Sequence, residues 1–382
     1  MDPDDAELAI NLKGERGIPV SSLAGALLEL GHAVTVVTST DEVLRREEFN
    51  GLNFKLIVLP QRSRPRDLAL SLYRAEVKLI SEEIEKLDVD VVNAHWTYEH
   101  ALASSHSGRP LVVTAHDSPW QVLKTAHHPF WFFRYFLAIQ ARLQTKNMIF
   151  VSRDLQNKWK REMFWRKPSW VIPNIQPFVI KDEIKFEKTS NVINIISVGD
   201  TSPRKNIEGA IAAFEKARKK YPNIQLNLVG PGLVPYTAYY RSIAKRYSIE
   251  GINWHGYIER PVIQNLLQSS DILFQPSLVE SFGLTLIEAM ALGVTVLAGR
   301  NTGAASEVVG NCGMLVDSRN IFDMTDGLIK LIENPEMRKN FENAGKERVK
   351  RQFSPEVVAR LALDCYRQII DAEKEVARNF RK

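Results

Sequence analysis

A chain of 382 residues exceeds what one hydrophobic core ordinarily supports, so two domains are expected. With 45% hydrophobic and 25% charged residues, its composition is that of a globular protein and excludes disordered and fibrous classes. A formal charge of +5 gives a mild attraction to anions and leaves nucleic acid, anionic lipid and a phosphorylated small molecule open.

The first residues, MDPDDAELAINLKGERG, are acidic and lack the apolar run of a secretory leader; AELAINL offers only a weak strand. SSLAGALLELGHAVTVVTST predicts a helix from about Ser22, capped in left-handed conformation by Gly31, then a strand from Ala33 to Thr38. NFKLIVLP reads as a strand, DLALSLYRAEVKLISEEIEKL as one amphipathic helix, and DVDVVNAH, RPLVVTAHD and KNMIFVS as strands. Between the last two lies an unusually aromatic helix from about Pro129 to Thr145. Its run PFWFFRYFLAIQ is interrupted by Arg134, and nothing approaches the ~18 apolar residues of a membrane span. PSWVIPNIQP closes this half with a strand that ends at a proline turn.

The second half keeps the rhythm. NVINIISVGD, IQLNLVGPG, INWHGYI, DILFQPS, GVTVLAG and GMLVD are strands, and helices fill the spaces between them. Apolar strands alternating with helices predict an α/β architecture of doubly wound parallel sheets. The charged, poorly periodic residues 176–191 mark the boundary, giving domains 1–176 and 177–354. The last helix, about 355–382, is expected to return to the first domain. Cys312 and Cys365 sit in apolar surroundings at no disulfide or metal spacing, which argues for a reduced, cytoplasmic setting and against cysteine chemistry.

Ligands of open α/β sheets bind beyond the carboxyl ends of the strands. That rule selects GERGIPVS, AHWTYEH and AHDSPW in the first half, and GDTSPRKN, GPG from Gly230 and PSLVESFG in the second. No G-x-G-x-x-G follows a strand and no P-loop motif occurs, which argues against a dinucleotide dehydrogenase and a P-loop NTPase. No His, Cys and carboxylate cluster has metal-ligand spacing.

In PSLVESFGLTLIEAMALGVTVLA, Glu280 falls in the loop before a helix and Glu288 one to two turns into it. The backbone N–H groups of Phe282, Gly283, Leu284 and Thr285 would point from the positive helix start, and Gly283 would let a phosphate approach closely. Carboxylates accept hydrogen bonds from hydroxyls, so a sugar on one side and a ribose on the other would suit a nucleotide-sugar. The ordinary alternative is an acid near the helix dipole followed by a solvated glutamate.

The run DILFQPSLVESFGLTLIEAMALGVTVLAGRNTGAASEVV resembles the donor-site signature of the retaining glycosyltransferases of family 4, group 1 type, with two glutamates separated by seven residues and Phe-Gly after the first. LLELGHAVTVVTS, VVTAHD, VSRDL, VIPN, VGDTSPRKNIEGAIAAF, LNLVGPG, INWHGYI and GMLVD follow the family's order, from about residue 17 onward. The resemblance implies the GT-B fold, two Rossmann-like domains facing each other across a cleft, the N-terminal one for the acceptor and the C-terminal one for the donor. It implies transfer from a nucleotide-diphosphate sugar to a glycan or lipid-linked acceptor in cell-surface polysaccharide or glycolipid synthesis. Neither a cofactor, an essential metal nor a nucleic-acid partner is implied.

Carried over by position, Glu280 contacts the transferred sugar near its anomeric carbon, the backbone amides at Phe282, Gly283 and Leu284 hold the distal phosphate, and Ser281 and Thr285 belong to the same donor-binding run. Glu288 accepts from the ribose, and Lys205 neutralises the diphosphate. His116 lies near the sugar and the acceptor, with His95 and His100 as competing strand-end histidines. Gly17 belongs to the N-terminal glycine loop that approaches the phosphate.

Two positions depart from the pattern. Where the family has Gly-Arg, this chain has Gly199 followed by Asp200, and Arg204 is the candidate replacement cation. The opening strand is also weak. These departures motivate the alternative of a nucleotide-sugar-binding homologue with little or no catalysis. The aromatic helix with Arg134 and Arg142 fits an interfacial helix on an anionic membrane, core packing between the domains explains its aromatics nearly as well, and weak peripheral association is expected.

Overall fold

The structure is a computed structural model, and it describes residues 17–125, 129–178 and 192–379. The weak strand AELAINL and most of the expected boundary segment lie outside the described residues. The chain forms two compact units, Met1–Ile175 with Pro355–Lys382, and Gln176–Ser354.

In the first unit β1 (Val34–Thr40), β2 (Glu47–Asn50) and β3 (Phe54–Pro60) make one sheet in the order β1-β3-β2. A second sheet runs β4 (Val92–His95), β5 (Leu111–Ala115), β6 (Met148–Phe150) and β7 (Ser169–Val171), all parallel. One strand that sequence reading did not place, β2, is antiparallel to β3. Only residues 51–53 join these strands, far too few for the crossover that parallel pairing needs. The helix before β1, Ile18–Glu29, starts earlier than its leucine spacing suggested. It ends at Gly31 as expected: the His32 N–H donates to the Leu27 carbonyl and the Gly31 N–H to that of Leu28, the paired bonds of a Schellman cap.

A single amphipathic helix was expected over residues 67–87. The chain instead forms Pro65–Leu70 and Arg74–Glu85, broken by left-handed Leu72 and Tyr73. The break buries the Tyr73 ring, whose hydroxyl accepts from the Arg134 guanidinium at 3.0 Å. Packing of one aromatic side chain here overrides helix continuity.

The last helix, Pro355–Asn379, belongs to the first unit, where Val358, Ala359, Ala362, Cys365 and Ile369 pack with Ala26, Val112, Ile149 and Ile172. Asn93 on β4 donates to the Tyr366 hydroxyl of that helix at 2.7 Å. Both cysteines are buried and free, and burial pushes the Cys365 thiol up to about 12.

The second unit holds one six-stranded parallel sheet of β8 (Ile193–Val198), β9 (Ile224–Val229), β10 (Ile252–Gly256), β11 (Ile272–Gln275), β12 (Thr295–Gly299) and β13 (Met314–Val316). Its spatial order is β10-β9-β8-β11-β12-β13. Strands added outward on one side of β8 resume on its other side at β11, so β8 and β11 flank the topological switch point. Helices cover both faces, and β11 and β12 are buried along their whole length, as their unbroken apolar sequences require.

The carboxyl ends of β8 and β9 meet closely. Gly230 has φ +140°, and a Cβ there would lie 1.9 Å from the Gly199 carbonyl oxygen, so only glycine fits. Gly230→Ala is expected to lower stability by at least about 3 kcal/mol in urea unfolding of the second unit. Gly17→Ala, where a new Cβ meets nothing within 4 Å, should change it by less than about 0.5 kcal/mol. Similar midpoints for the two variants would contradict the packing argument.

Candidate functional site

Two loops leave the sheet at the switch point. From β8 the chain passes through residues 199–202 and a 3-10 turn, Pro203–Lys205, into the helix Ile207–Lys220. From β11 it passes through residues 276–283 into the helix Leu284–Ala291. Because β8 and β11 are neighbours, residues 75 positions apart in sequence meet: the Lys205 Nζ lies 3.0 Å from the Glu280 Oε2. Only 17% and 13% of these side chains remain exposed, so the pair is held in a partly desolvated corner.

The loops are fixed by backbone hydrogen bonds. The Leu278 N–H donates to the Arg204 carbonyl at 2.7 Å. The Glu280 N–H donates to the Thr302 carbonyl at 2.7 Å, and its own carbonyl accepts from the Ala304 N–H at 2.9 Å. Asn206, left-handed at φ 53°, heads the helix Ile207–Lys220 and donates through Nδ2 to the carbonyls of Pro276 and Ser318. That one amide links the ends of three strands.

Gly283 is the N-cap of Leu284–Ala291, at φ 93° and ψ 65°, with no side chain capping the helix. A Cβ there would lie 2.6 Å from the Leu286 side chain and 3.3 Å from the Glu280 Cγ. Glycine is therefore required by conformation and by space beside Glu280. The first N–H groups of a helix have no intrahelical acceptor, and with no side-chain cap those around Gly283, Leu284 and Thr285 form a positive helix start suited to an anion. The Phe282 ring is buried edge-on against Phe353, 5.8 Å between centroids, so only its backbone is available to a ligand.

Glu288 is buried rather than solvated. Its Oε1 lies 2.6 Å from a guanidinium nitrogen of Arg260, at the start of the helix Arg260–Gln268. Burial pushes the Glu288 carboxyl above the usual carboxylate range, and Arg260 opposes that shift. Sequence reading missed Arg260. The rule that selected the loops after β8, β9 and β11 applies equally to the loop after β10, where this arginine stands.

Arg204 faces Asp200 at 3.1 Å, with 44% and 37% of these side chains exposed. Asp200 also accepts from the Ser202 N–H at 2.8 Å. Burial works against ionisation of Asp200, yet these hydrogen bonds and the charges of Arg204 and Lys205 hold its carboxyl below the usual range. Both cations of SPRKN thus have carboxylate partners: Arg204 with Asp200, Lys205 with Glu280.

His116 and Gly17 belong to the first unit. Gly17 is the N-cap of Ile18–Glu29. His116 follows β5, and its Nε2 lies 2.9 Å from the Nδ1 of His95, the last residue of β4. Burial lowers His95 to about 4 and His116 well below its ordinary value, so both rings are neutral at pH 7. Next to them Asp117 accepts from the Tyr98 hydroxyl at 3.1 Å, and burial pushes its carboxyl up to about 6. Asp117 stood in the selected loop AHDSPW without being singled out. Arg134, read as part of an interfacial face, instead turns inward to Glu99 at 3.3 Å and stacks over Tyr98 at 4.0 Å.

Known proteins resemble the chain as a whole. Residues 180–348 match the family model described as glycosyl transferases group 1, and residues 20–175 match glycosyltransferase family 4. N-acetyl-alpha-D-glucosaminyl L-malate synthase of Bacillus anthracis is 25% identical over 94% of this chain and 96% of its own length. The sucrose-phosphate synthase of Thermosynechococcus elongatus superposes with a TM-score of 0.77 at 19% identity, over 94% of each chain. The E. coli trehalose-6-phosphate structure bound with UDP-2-fluoro glucose gives a TM-score of 0.70 at 12% identity, over 94% of this chain and 96% of that one. These structural likenesses show the fold, which is GT-B.

The buried ion pair yields a pH signature. A carboxyl whose folded-state pKa is raised stabilises fully below its unfolded value, and that contribution is lost as pH rises through the folded value. Arg260→Ala removes the opposing charge. It should cost about 2–4 kcal/mol at pH 8 and less at pH 5 in urea unfolding, because at low pH Glu288 takes up a proton. In the Glu288→Gln background the cost of Arg260→Ala should be equal at both pH values. A loss equal at both pH values in the wild-type background would refute the pairing.

Proposed function

Because the chain belongs to the group 1, family 4 glycosyltransferases, we propose that it moves a sugar from a nucleotide-diphosphate donor to a hydroxyl acceptor with retention of anomeric configuration. The observation that carries this reading is the meeting of Lys205 and Glu280 beside an uncapped helix start at the switch point. Transfer breaks the bond between the anomeric carbon and the diphosphate oxygen, and the electron pair stays on that oxygen. Lys205 and the amides around Gly283 stabilise the resulting negative charge, the largest electrostatic demand of the step. The acceptor hydroxyl oxygen attacks the anomeric carbon from the face the diphosphate leaves, and its proton passes to the departing phosphate oxygen. Glu280 faces the sugar, whose transition state gains positive charge. Glu288, anchored through Oε1, offers its carboxylate to the ribose hydroxyls. The protein's own cations perform the neutralisation, and no cofactor enters the route. The UDP-2-fluoro glucose bound in the E. coli relative of the fold supports a nucleotide-sugar donor.

Asp200 favours a second reading, a nucleotide-sugar-binding homologue with weak catalysis, because it engages Arg204 where a free cation would serve the diphosphate. Turnover separates the two. Incubation with a panel of nucleotide-sugars and hydroxyl acceptors should release nucleoside diphosphate, and Glu280→Ala or Lys205→Ala should lower kcat about 10²–10³-fold. Tight donor binding by calorimetry with no turnover would establish the second reading. Equal turnover by wild type and Glu280→Ala would remove Glu280 from the mechanism.

For the acceptor we propose a glycan or lipid-linked species at an anionic membrane surface on its cytoplasmic side. No described helix is long and apolar enough to cross a membrane. The helix Phe130–Gln144 buries Leu137, Ala138 and Ala141 while leaving Phe132, Phe136 and Leu143 exposed at 52%, 46% and 62%. Exposed aromatics at positions 132 and 136, one helical turn apart, suit an interfacial region, and the formal charge of +5 favours anionic lipid. Flotation should show binding to phosphatidylserine-rich vesicles at low salt, weakened by high salt and by Phe132→Ser with Phe136→Ser. Absence of binding at low salt would contradict the surface assignment.

A further inference from the structure

We infer that His95 is a positioning residue for the transfer, holding the His116 ring so that Nδ1 is the nitrogen presented to a substrate hydroxyl. This rests on the reaction proposed above.

In the parallel ladder of β4 and β5, His95 lies opposite Thr114, two residues before His116. The ring of His116 leans back over β4, bringing its Nε2 within 2.9 Å of the His95 Nδ1. The centroids are 5.2 Å apart and the planes 20° apart, so the rings lie side by side and the contact runs close to the plane of both. Trp96 closes against the same ring, 4.7 Å between centroids. Consecutive residues can both grip one ring because Trp96 takes a left-handed backbone, φ 63°, while its N–H still donates to the Thr114 carbonyl at 2.9 Å. That conformation is costly for a bulky side chain and persists only where the surroundings over-determine it.

The chemistry of two facing imidazoles adds a constraint. A neutral imidazole has one N–H and one lone pair, so a bond between His95 and His116 has its proton on one of the two facing nitrogens. Whichever it is, the Nε2 of His116 is committed. The tautomers of the two rings are thereby coupled, and Nδ1 alone of His116 remains for a substrate, an acceptor where Nε2 donates to His95 and a donor where Nε2 accepts.

The test compares substitutions at position 95. Asn places an amide where the His95 Nδ1 stands and can donate or accept. Gln places it at the other nitrogen's position, and Leu has none. With histidine-labelled protein, the His116 ring nitrogens are assigned by their loss in His116→Asn. The His116 Nε2 resonance should move in His95→Leu and His95→Gln and return to its wild-type position in His95→Asn. In turnover assays, kcat should fall about tenfold in the Leu and Gln variants, the scale of one buried hydrogen bond, with donor KM within about twofold and Asn restoring most of kcat. An Nε2 resonance unmoved by both Leu and Gln overturns the inference, as does kcat unchanged in both. Should Leu fail to fold, Gln carries the comparison. The ring-nitrogen readout needs no turnover, so a protein inert toward every nucleotide-sugar sinks the transfer reading while the resonances still decide the role of His95.

Discussion

The second unit depends on one constraint of parallel sheets: where strand order reverses, two loops must diverge, and whatever they carry is brought together. The reversal here falls between β8 and β11. A cation from one loop and a carboxylate from the other meet at 3.0 Å, in a corner that water reaches only partly. The supporting contacts follow from that placement. Asn206 ties the loops to their strands, Gly230 admits the Gly199 carbonyl, and the segment after β12 holds the Glu280 backbone from both sides.

The two clusters of candidate site residues handle buried polarity differently. Around the β8–β11 switch point, charge is met by charge: Lys205 with Glu280, Glu288 with Arg260, Asp200 with Arg204. Paired ions in a fixed frame are a preorganised electrostatic field, which is what the proposed diphosphate leaving group would require. At the ends of β4 and β5 the histidines are instead kept neutral by burial, and the Asp117 carboxyl is pushed up toward neutrality. Neutral donors and acceptors suit the orientation of hydroxyl groups, where a fixed charge would demand a counterion.

Much of this was legible in the chain itself. The alternation of apolar strands and helices gave the α/β class, and the loops after β8 and β11 were chosen before any contact was known. Glu280, Glu288 and Gly283 stood out because their spacing around a helix start has a chemical meaning, and Lys205 stood out through the resemblance of its loop to the family pattern. What stayed hidden depends on contacts across the fold. Nothing local marks Arg260 as the partner of Glu288, since 28 residues separate them and only the sheet order brings their helices together. The pairing of His95 with His116 needs the β4–β5 register, and the break at Tyr73 follows from where its ring is buried. Asp200 read as a missing cation. In the fold it is also a brace, accepting from Ser202 and Arg204 across the same short loop.

The helix Pro355–Asn379 has a consequence for biogenesis. It contributes Val358, Ala359, Ala362, Cys365 and Ile369 to the core of the first unit, although the whole second unit intervenes in the chain. On a ribosome the second unit therefore emerges in one continuous piece and can close its own core, while the earlier unit waits with an apolar face uncovered. The order of completion is the reverse of the order of synthesis. During that interval the face that awaits the helix, with Val112, Ile149 and Ile172, is a natural client surface for chaperones that shield exposed apolar groups.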